Sequence, residues 1–273
     1  MKVGISIFVR EDKVYDYIKE AHEQGFDNGQ LLYWNMSYYT DENAELVKKA
    51  CKDFGFTVTA VWCGWSGPRG FAYPGMYNRI GIVPSDWRAK RVEELLLGAE
   101  FARKIGVSDI ITHIGYLPDN PYDPDNIGVV NALTLICNKL KPYNQNFLFE
   151  TGEELPLSLA YLIRDIGADN IGINFDPANL IMNGRGSHPV TALKFLAPYI
   201  RGVHAKDALQ PTIPELKKVE VPAGEGDVNF PEFIKTLKEI GYDGAISIEY
   251  EKYEGDRNAK LAQIKSYLEG LIG

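Results

Sequence analysis

The stretch Asn146-Phe147-Leu148-Phe149-Glu150-Thr151-Gly152, or NFLFETG, is where the interpretation of the fold begins. Three apolar residues run directly into a glutamate, and a short apolar run of this kind predicts a buried strand. A buried carboxylate is costly unless it is paired or bound to a metal ion. The stretch therefore predicts a buried strand whose last side chain, Glu150, needs a partner.

Similar apolar runs alternate with amphipathic helical patterns along all 273 residues of the chain. Eight strands are predicted, at residues 2–9, 26–33, 56–62, 108–114, 146–150, 171–176, 200–204 and 245–249. The clearest helices are predicted at 41–54, 86–106 and 230–240, with Thr40, Ser85 and Asn229 as their expected N-terminal caps. Eight strands alternating with helices in a chain of this length favour one domain, a single α/β (β/α)8 TIM barrel over residues 1–273.

Two connections in this pattern are unusually long, residues 63–85 and residues 205–229. Long structured loops in a compact domain commonly form lids or binding loops, so both are predicted to serve the active site. The second contains PAGEGDVNF at 222–230, where two glycines flank Glu225. This segment suits either a loop that folds over the barrel mouth or a tight turn.

Four consecutive predicted strands each end on a residue type that binds metal ions. These residues are Glu150, Asp176, His204 and Glu249. The C-terminal ends of barrel strands meet at one mouth, where three carboxylates would repel one another unless a cation neutralised them. Three oxygen ligands and one nitrogen suit one divalent ion, with Mn²⁺ favoured and Mg²⁺ or Co²⁺ as alternatives.

Each of these four residues also has a simpler interpretation when it is taken alone. Asp176 stands before Pro177 and could cap a helix, and His204 could be a hydrogen-bonded histidine of the core. The occurrence of all four at adjacent strand ends favours the metal site.

Other side chains are expected at the same mouth. His113 ends the fourth strand and is a candidate for substrate binding or acid–base catalysis, or for a hydrogen bond to a metal-binding carboxylate. Lys206 lies two residues after His204, so strand alternation directs both inward, where the lysine could hold a substrate oxygen or donate a proton. Trp34 and Trp62 are predicted to stack on a sugar, with gap filling beneath loops as the alternative.

Composition narrows the classes of partner. The net charge of −8 disfavours a nucleic acid backbone as partner. The cysteines Cys51, Cys63 and Cys137 have no metal-type spacing, which fits a reducing cytoplasm. Residues 1–5 begin a strand and not a signal peptide, and no apolar run approaches the roughly 18 residues of a membrane span. A small molecule in the cytoplasm, with neither nucleic acid nor membrane as a partner, is therefore expected, and Trp34 and Trp62 at the mouth suit a sugar or polyol. Homo-oligomerisation is left open.

Five segments together resemble a known family. They are IGIVPSDWRAKRVEELL (80–96), NFLFETG (146–152), GINFDPANLIMNGRG (172–186), YIRGVHAKDA (199–208) and VPAGEGDVNFPEFIKTLKEIGYDGAISIE (221–249). They resemble sugar phosphate isomerase/epimerase proteins of the xylose-isomerase-like TIM-barrel superfamily. The resemblance implies that Glu150, Asp176, His204 and Glu249 bind one divalent metal. In its ketose 3-epimerase branch the first and last of these also move protons, which implies catalytic roles for Glu150 and Glu249.

The chain departs from the ketose 3-epimerase pattern at three positions. Asn179 stands where those enzymes have a second histidine, Pro156 where they have a glutamate, and Gln210 where they have an arginine. The metal ligands therefore match, whereas the residues that orient a ketose do not. Asn179 is retained as a candidate for substrate binding.

These observations predict a metal-dependent sugar isomerase or epimerase that abstracts a proton next to a carbonyl and forms an enediolate. A metal-dependent lyase or dehydratase that eliminates a β-substituent from an inosose or a 3-keto-glycoside is the alternative. Two further classes are more remote, an endonuclease IV-like phosphodiesterase and a non-catalytic sugar-binding protein. The first of these would be expected to have many histidines, and this chain has four.

Overall fold

Eight apolar segments form parallel strands that close into a barrel in the computed structural model, which describes residues 1–71, 75–183, 187–212, 219–251 and 255–273. The strands are β1 (Lys2–Val9), β2 (Asn28–Tyr33), β3 (Thr57–Cys63), β4 (Asp109–Thr112), β5 (Asn146–Glu150), β6 (Ile171–Phe175), β7 (Ile200–Ala205), β8 (Asp207–Leu209), β9 (Val219–Val221) and β10 (Ala245–Ile248). The barrel order is β1-β10-β7-β6-β5-β4-β3-β2, and β8 and β9 form a separate antiparallel hairpin. The predicted TIM barrel is confirmed.

Nine α-helices lie within the described ranges. They are α1 (Val14–Glu23), α2 (Asp41–Phe54), α3 (Ser85–Lys104), α4 (Pro124–Leu140), α5 (Pro156–Ile166), α6 (Pro177–Met182), α7 (Pro189–Leu196), α8 (Phe230–Glu239) and α9 (Arg257–Ile272). The helix predicted at 41–54 has those bounds, and the helices predicted at 86–106 and 230–240 differ by one or two residues at their ends. No helix in the described ranges has both the length and the apolar character that a membrane crossing requires.

The three predicted helix caps have different outcomes. Thr40 caps α2, because its side chain accepts a hydrogen bond from the Asn43 N–H at 3.1 Å. Ser85 is not a cap, since α3 already begins at Ser85 and Pro84 occupies the capping position. Asn229 occupies the capping position of α8, but with φ 58° its side chain accepts no capping hydrogen bond from a described residue.

Strand alternation divides the apolar side chains of the barrel between two clusters. On β5, Phe147 and Phe149 belong to the large cluster that includes the buried faces of the surrounding helices. Leu148, between them, belongs to a smaller cluster with Leu32 and Trp62. Because side chains alternate in direction along a strand, Glu150 points to the same side as Leu148, toward the barrel interior.

Both long connections are held by buried charged residues. Arg91 has 1% of its surface exposed and donates hydrogen bonds to the Pro68 carbonyl at 2.9 Å and to the Gly81 carbonyl. These bonds anchor the 63–85 connection. Residues 72–74 of that connection lie outside the described ranges. The 205–229 connection contains the β8–β9 hairpin, which the sequence did not predict because three-residue strands are too short to show a period. Residues 213–218 of that connection also lie outside the described ranges.

Asp207, the first residue of β8, fixes the segment that follows the hairpin. Its carboxylate accepts hydrogen bonds from the backbone N–H groups of Gly224, Gly226 and Val228 at 2.9, 3.0 and 3.1 Å. A Cβ atom at Gly226 would lie 2.3 Å from the Asp207 Oδ1 atom, so only glycine permits this approach. The PAGEGDVNF segment is therefore tethered by its backbone.

The different roles of Thr40 and Ser85 can be tested with a matched pair of substitutions. Thr40→Ala should lower the free energy of unfolding by about 1 kcal/mol, because the first turn of α2 loses its side-chain acceptor. Ser85→Ala should change it by less than about 0.5 kcal/mol, because Ser85 is exposed and does not cap α3. Urea titration of the two variants measures both changes, and equal losses would contradict this assignment of the caps.

Candidate metal centre and active site

The four predicted ligands lie together at the C-terminal end of the barrel. Glu150 ends β5, Asp176 directly follows β6, His204 is the fifth residue of β7 and Glu249 directly follows β10. One ligand atom from each lies within 4.8 Å of the others, and all four residues are buried. The convergence of neighbouring strand ends therefore concentrates three carboxylates and an imidazole at one point.

The His204 Nδ1 atom lies in the middle of the carboxylates. It is 2.7 Å from Glu249 Oε2, 3.1 Å from Glu150 Oε1 and 3.6 Å from Asp176 Oδ2. Nδ1, Asp176 Oδ2 and Glu249 Oε2 are buried and make no hydrogen bond to a described residue. Buried polar atoms rarely lack a partner, so this donor set fits a cation held among the four side chains.

Asp176 combines the two roles that the sequence presented as alternatives. Its Oδ1 atom accepts from the Asn179 N–H at 3.0 Å and so caps α6, while Oδ2 faces the centre. The Thr151 hydroxyl donates to the Asp176 carbonyl at 2.9 Å and lies 2.8 Å from the N–H of the same residue. These contacts fix the ligand in place through its own backbone.

The electrostatics of the centre favour positive charge. Burial by itself would lower the pKa of His204, but the carboxylates of Glu249 and Glu150 raise it well above its ordinary value. Burial by itself would raise the pKa of Glu249, but Lys206 and His204 hold it well below its ordinary value. A divalent cation would offset this concentration of negative charge directly.

Lys206 lies beside the centre, as the alternation along β7 predicted. Its Nζ atom donates to Glu249 Oε1 at 2.7 Å and to Glu251 Oε1 at 3.2 Å, and Glu220 Oε2 is 3.9 Å away. Only 5% of the lysine is exposed. Glu220, which β9 brings to this lysine, was missed from the sequence because nothing in the chain indicated the hairpin.

His113 and Trp62 lie on the other side of the centre, beside Glu150. The Trp62 indole N–H donates to Glu150 Oε2, and His113 Nε2 is 3.4 Å from the same oxygen. The second ring nitrogen of His113 is 3.7 Å from Glu153 Oε2. His113 therefore occupies a position that fits both of its predicted roles, and Glu153 is a further residue that the sequence analysis missed.

A cavity of about 210 Å³ opens above the centre. Its lining residues are Phe8, Leu32, Trp34, Trp62, Phe71, His113, Glu150, Glu153, Asn179, Met182, Asn183, Lys206, Glu220, Glu249 and Glu251. The aromatic wall comes from the first three strands and the 63–85 connection, where Trp34 and Trp62 have ring centroids 4.8 Å apart. The metal-type ligands all come from residues 150–249, so one face of the cavity is apolar and the opposite face is ionic.

The three departures from the ketose 3-epimerase pattern have different places in the structure. Asn179 lines the cavity, and its side chain donates to the Thr151 carbonyl at 3.2 Å. Pro156 is the first residue of α5, and Gln210 is exposed just after β8. Neither Pro156 nor Gln210 is among the residues that line the cavity.

Comparison with known proteins places these features in a family. The sequence profile described as xylose isomerase-like TIM barrel matches residues 18–270. The uncharacterized protein MJ1311 of Methanocaldococcus jannaschii is 38% identical, over 98% of this chain and 90% of that protein.

Solved structures show the same relationship. The xylose isomerase domain protein from Planctomyces limnophilus is 31% identical with a TM-score of 0.89, over 98% of this chain and 95% of that one. A D-tagatose 3-epimerase-like protein shares the fold at 24% identity with a TM-score of 0.76, over 99% and 98% of the two chains. More distant structures with this fold include other sugar 3-epimerases and a probable dehydratase.

Removing the charge of Asp176 tests the metal centre. Asp176→Asn keeps an oxygen for the cap of α6 and should fold, but it should lose most of the bound divalent ion because one anionic ligand is gone. Glu251→Gln is the matched control, since its side chain contacts Lys206 at the rim and should leave metal content unchanged. Elemental analysis of the purified proteins measures both, and full metal occupancy in Asp176→Asn would contradict the assignment.

Proposed function

The chain belongs to the xylose isomerase-like TIM barrel family, and from that premise we propose that it is a divalent-metal-dependent sugar isomerase or epimerase. The observation that carries the proposal is the set of four buried ligand atoms within 4.8 Å of one another, of which Glu150 and Glu249 also line a cavity with an aromatic wall. Glu150, Asp176, His204 and Glu249 would hold the ion. We favour Mn²⁺ because the donors are three carboxylates and one imidazole.

A divalent ion bound there would acidify the C–H next to a substrate carbonyl by drawing charge from the carbonyl oxygen. Glu150 and Glu249 are the bases that the geometry favours. Each directs one carboxylate oxygen toward His204 and has a second oxygen that contacts a cavity-lining side chain, Trp62 for Glu150 and Lys206 for Glu249. One of them would take the proton, and the other, in its protonated form, would donate its own proton to the opposite face of the same carbon, which inverts that centre.

The other cavity residues would position the substrate during this transfer. Trp34 and Trp62 offer aromatic surface to the C–H face of a sugar, and Asn179 offers a polar edge. Lys206 and His113 are close enough to the ionic face to donate hydrogen bonds to substrate oxygens. The sugar epimerases among the structural neighbours support this class of substrate.

A second candidate function is β-elimination from an inosose or a 3-keto-glycoside. It is favoured by the positions of Pro156 and Gln210, which stand where 3-epimerases have side chains that orient a ketose. Neither residue lines the cavity, so neither can orient a ketose in their place. The same carboxylates would remove the proton, and His113 or Lys206 would protonate the group that leaves from the next carbon. The probable dehydratase among the structural neighbours supports this alternative.

Substitution of the two glutamates distinguishes the loss of a general base from the loss of a metal ligand. Glu150→Gln and Glu249→Gln should each lower turnover by a factor of about 10² to 10⁴, because a general base is lost, while an amide oxygen can still bind part of the metal. Turnover of the native protein in D₂O should place deuterium on the carbon next to the carbonyl. Variants with near-native turnover would exclude these residues as bases, and Glu239→Gln, at an exposed ion pair with Lys235 on α8, serves as the control for lost charge.

Parallel assays with Mn²⁺ distinguish the two reactions. We expect weak or no conversion of fructose to its 3-epimer, because the orienting residues of the ketose 3-epimerases are absent at positions 156, 179 and 210. A 3-keto-glucoside and an inosose are assayed beside it for epimerised and eliminated products. Efficient epimerisation of fructose without elimination from the other two would remove the lyase alternative.

A further inference from the structure

A chain of buried amides lies next to the imidazole of the metal centre. Gln30 lies in β2 directly before the apolar residues Leu31 and Leu32, and 3% of its surface is exposed. Its Oε1 atom is 2.8 Å from His204 Nε2, and its Nε2 group donates to Asn174 Oδ1 at 2.9 Å. Asn174 and His204 are completely buried, so water does not compete for these contacts.

The direction of these hydrogen bonds determines which nitrogen of His204 carries hydrogen. The amide nitrogen of Gln30 is directed at Asn174, so the oxygen of Gln30 faces the imidazole and accepts a hydrogen bond from it. When a cation occupies Nδ1, the ring is neutral and its hydrogen lies on Nε2, where the oxygen of Gln30 is placed to accept it. Nδ1 is left with a lone pair, and Nδ1 is the atom that faces Glu150, Asp176 and Glu249.

The opposite tautomer would give a different centre. A hydrogen on Nδ1 would point into the space between the carboxylates and would occupy the position of the cation. Nδ1 lies 2.7 Å from Glu249 Oε2 and 3.1 Å from Glu150 Oε1, so a cation bound at this nitrogen would take the place of that hydrogen. An oxygen of Gln30 at 2.8 Å from Nε2 thus favours the ring that binds metal over the ring that only donates to carboxylates.

Asn174 is in turn placed by the local sequence of β7. A Cβ atom at Gly202 would lie 2.4 Å from Asn174 Oδ1, so the glycine two residues before His204 leaves the space that this amide occupies. The Asn174 carbonyl accepts from the Thr151 N–H at 3.2 Å, directly after Glu150. The amide chain therefore joins β2, β6 and β7, two of which carry or adjoin a metal-type ligand.

We propose that Gln30 is a positioning residue that holds His204 in the Nε2–H tautomer and thereby sets the affinity of the centre for a divalent cation. This inference rests on the metal centre of the proposed function. Gln30 would act through His204 and would not contact the substrate. Partners of metal-binding histidines commonly contribute a factor of 10 to 100 in metal affinity.

The test compares Mn²⁺ affinities by competition with a chelator. Gln30→Leu removes the acceptor and should weaken Mn²⁺ binding about 10- to 100-fold. Gln30→Glu keeps an acceptor for Nε2–H. Its affinity for Mn²⁺ should be no more than about 3-fold weaker than that of the native protein. This rescue is feasible because Asn174 Nδ2 has no partner among the described residues, so its amide can turn and donate to the new carboxylate.

Gln145→Leu is the matched control, because Gln145 is also a buried amide with 3% exposure but donates to the Ala99 and Val107 carbonyls away from the centre. It should lower the free energy of unfolding and leave Mn²⁺ affinity unchanged. A folded Gln30→Leu variant that binds Mn²⁺ within about 2-fold of the native protein would overturn the inference. So would a Gln30→Glu variant that loses as much affinity as Gln30→Leu.

A spectroscopic measurement on the native protein keeps the inference testable even if Gln30→Leu does not fold. In ¹⁵N NMR spectra of the Mg²⁺-loaded protein, His204 should show a protonated Nε2 and an unprotonated Nδ1. A protonated Nδ1 would overturn the inference directly. If the native protein takes up neither Mn²⁺ nor Mg²⁺, the metal centre itself is overturned, and with it the proposed function. If the native protein binds metal but Gln30→Leu binds it equally well, only the role of Gln30 is overturned.

Discussion

The burial of three carboxylates and one imidazole at a single point is the constraint on which the rest of the site depends. Close packing of like charges in a dry environment is unfavourable, and only added positive charge makes it tolerable. The protein supplies part of that charge through Lys206, which contacts Glu249, while His204 Nδ1, Asp176 Oδ2 and Glu249 Oε2 make no hydrogen bond to a described residue. The barrel brings these groups together because neighbouring parallel strands end at the same mouth.

Each of the four metal-type residues divides its polar atoms between the centre and the rest of the protein. Asp176 uses one oxygen as a helix cap, Glu150 accepts from Trp62, Glu249 accepts from Lys206, and His204 contacts Gln30. In every case the second contact comes from a different element of the fold. The orientation of each ligand is therefore set before any ion binds, which reduces the conformational entropy lost on binding.

Sequence reasoning predicted the features that depend on local patterns. Strand and helix periodicity predicted the barrel, and metal-type residues at four strand ends predicted the cluster that the structure brings together. It failed where the outcome depends on one backbone geometry or on a distant partner. Ser85 and Asn229 do not cap their helices, and Glu220, Glu153 and Gln30 became visible only when the fold placed them beside Lys206, His113 and His204.

The division of the cavity into an aromatic face and an ionic face also follows the order of the chain. Phe8, Trp34, Trp62 and Phe71 belong to the first 71 residues of the sequence, whereas the metal-type ligands begin at residue 150. Mutations that reshape the aromatic wall are thus separated in the gene from the codons of the ionic centre. A single recombination point within residues 72–149 would therefore exchange the aromatic wall for that of a homologous gene and leave the four metal-type residues unchanged.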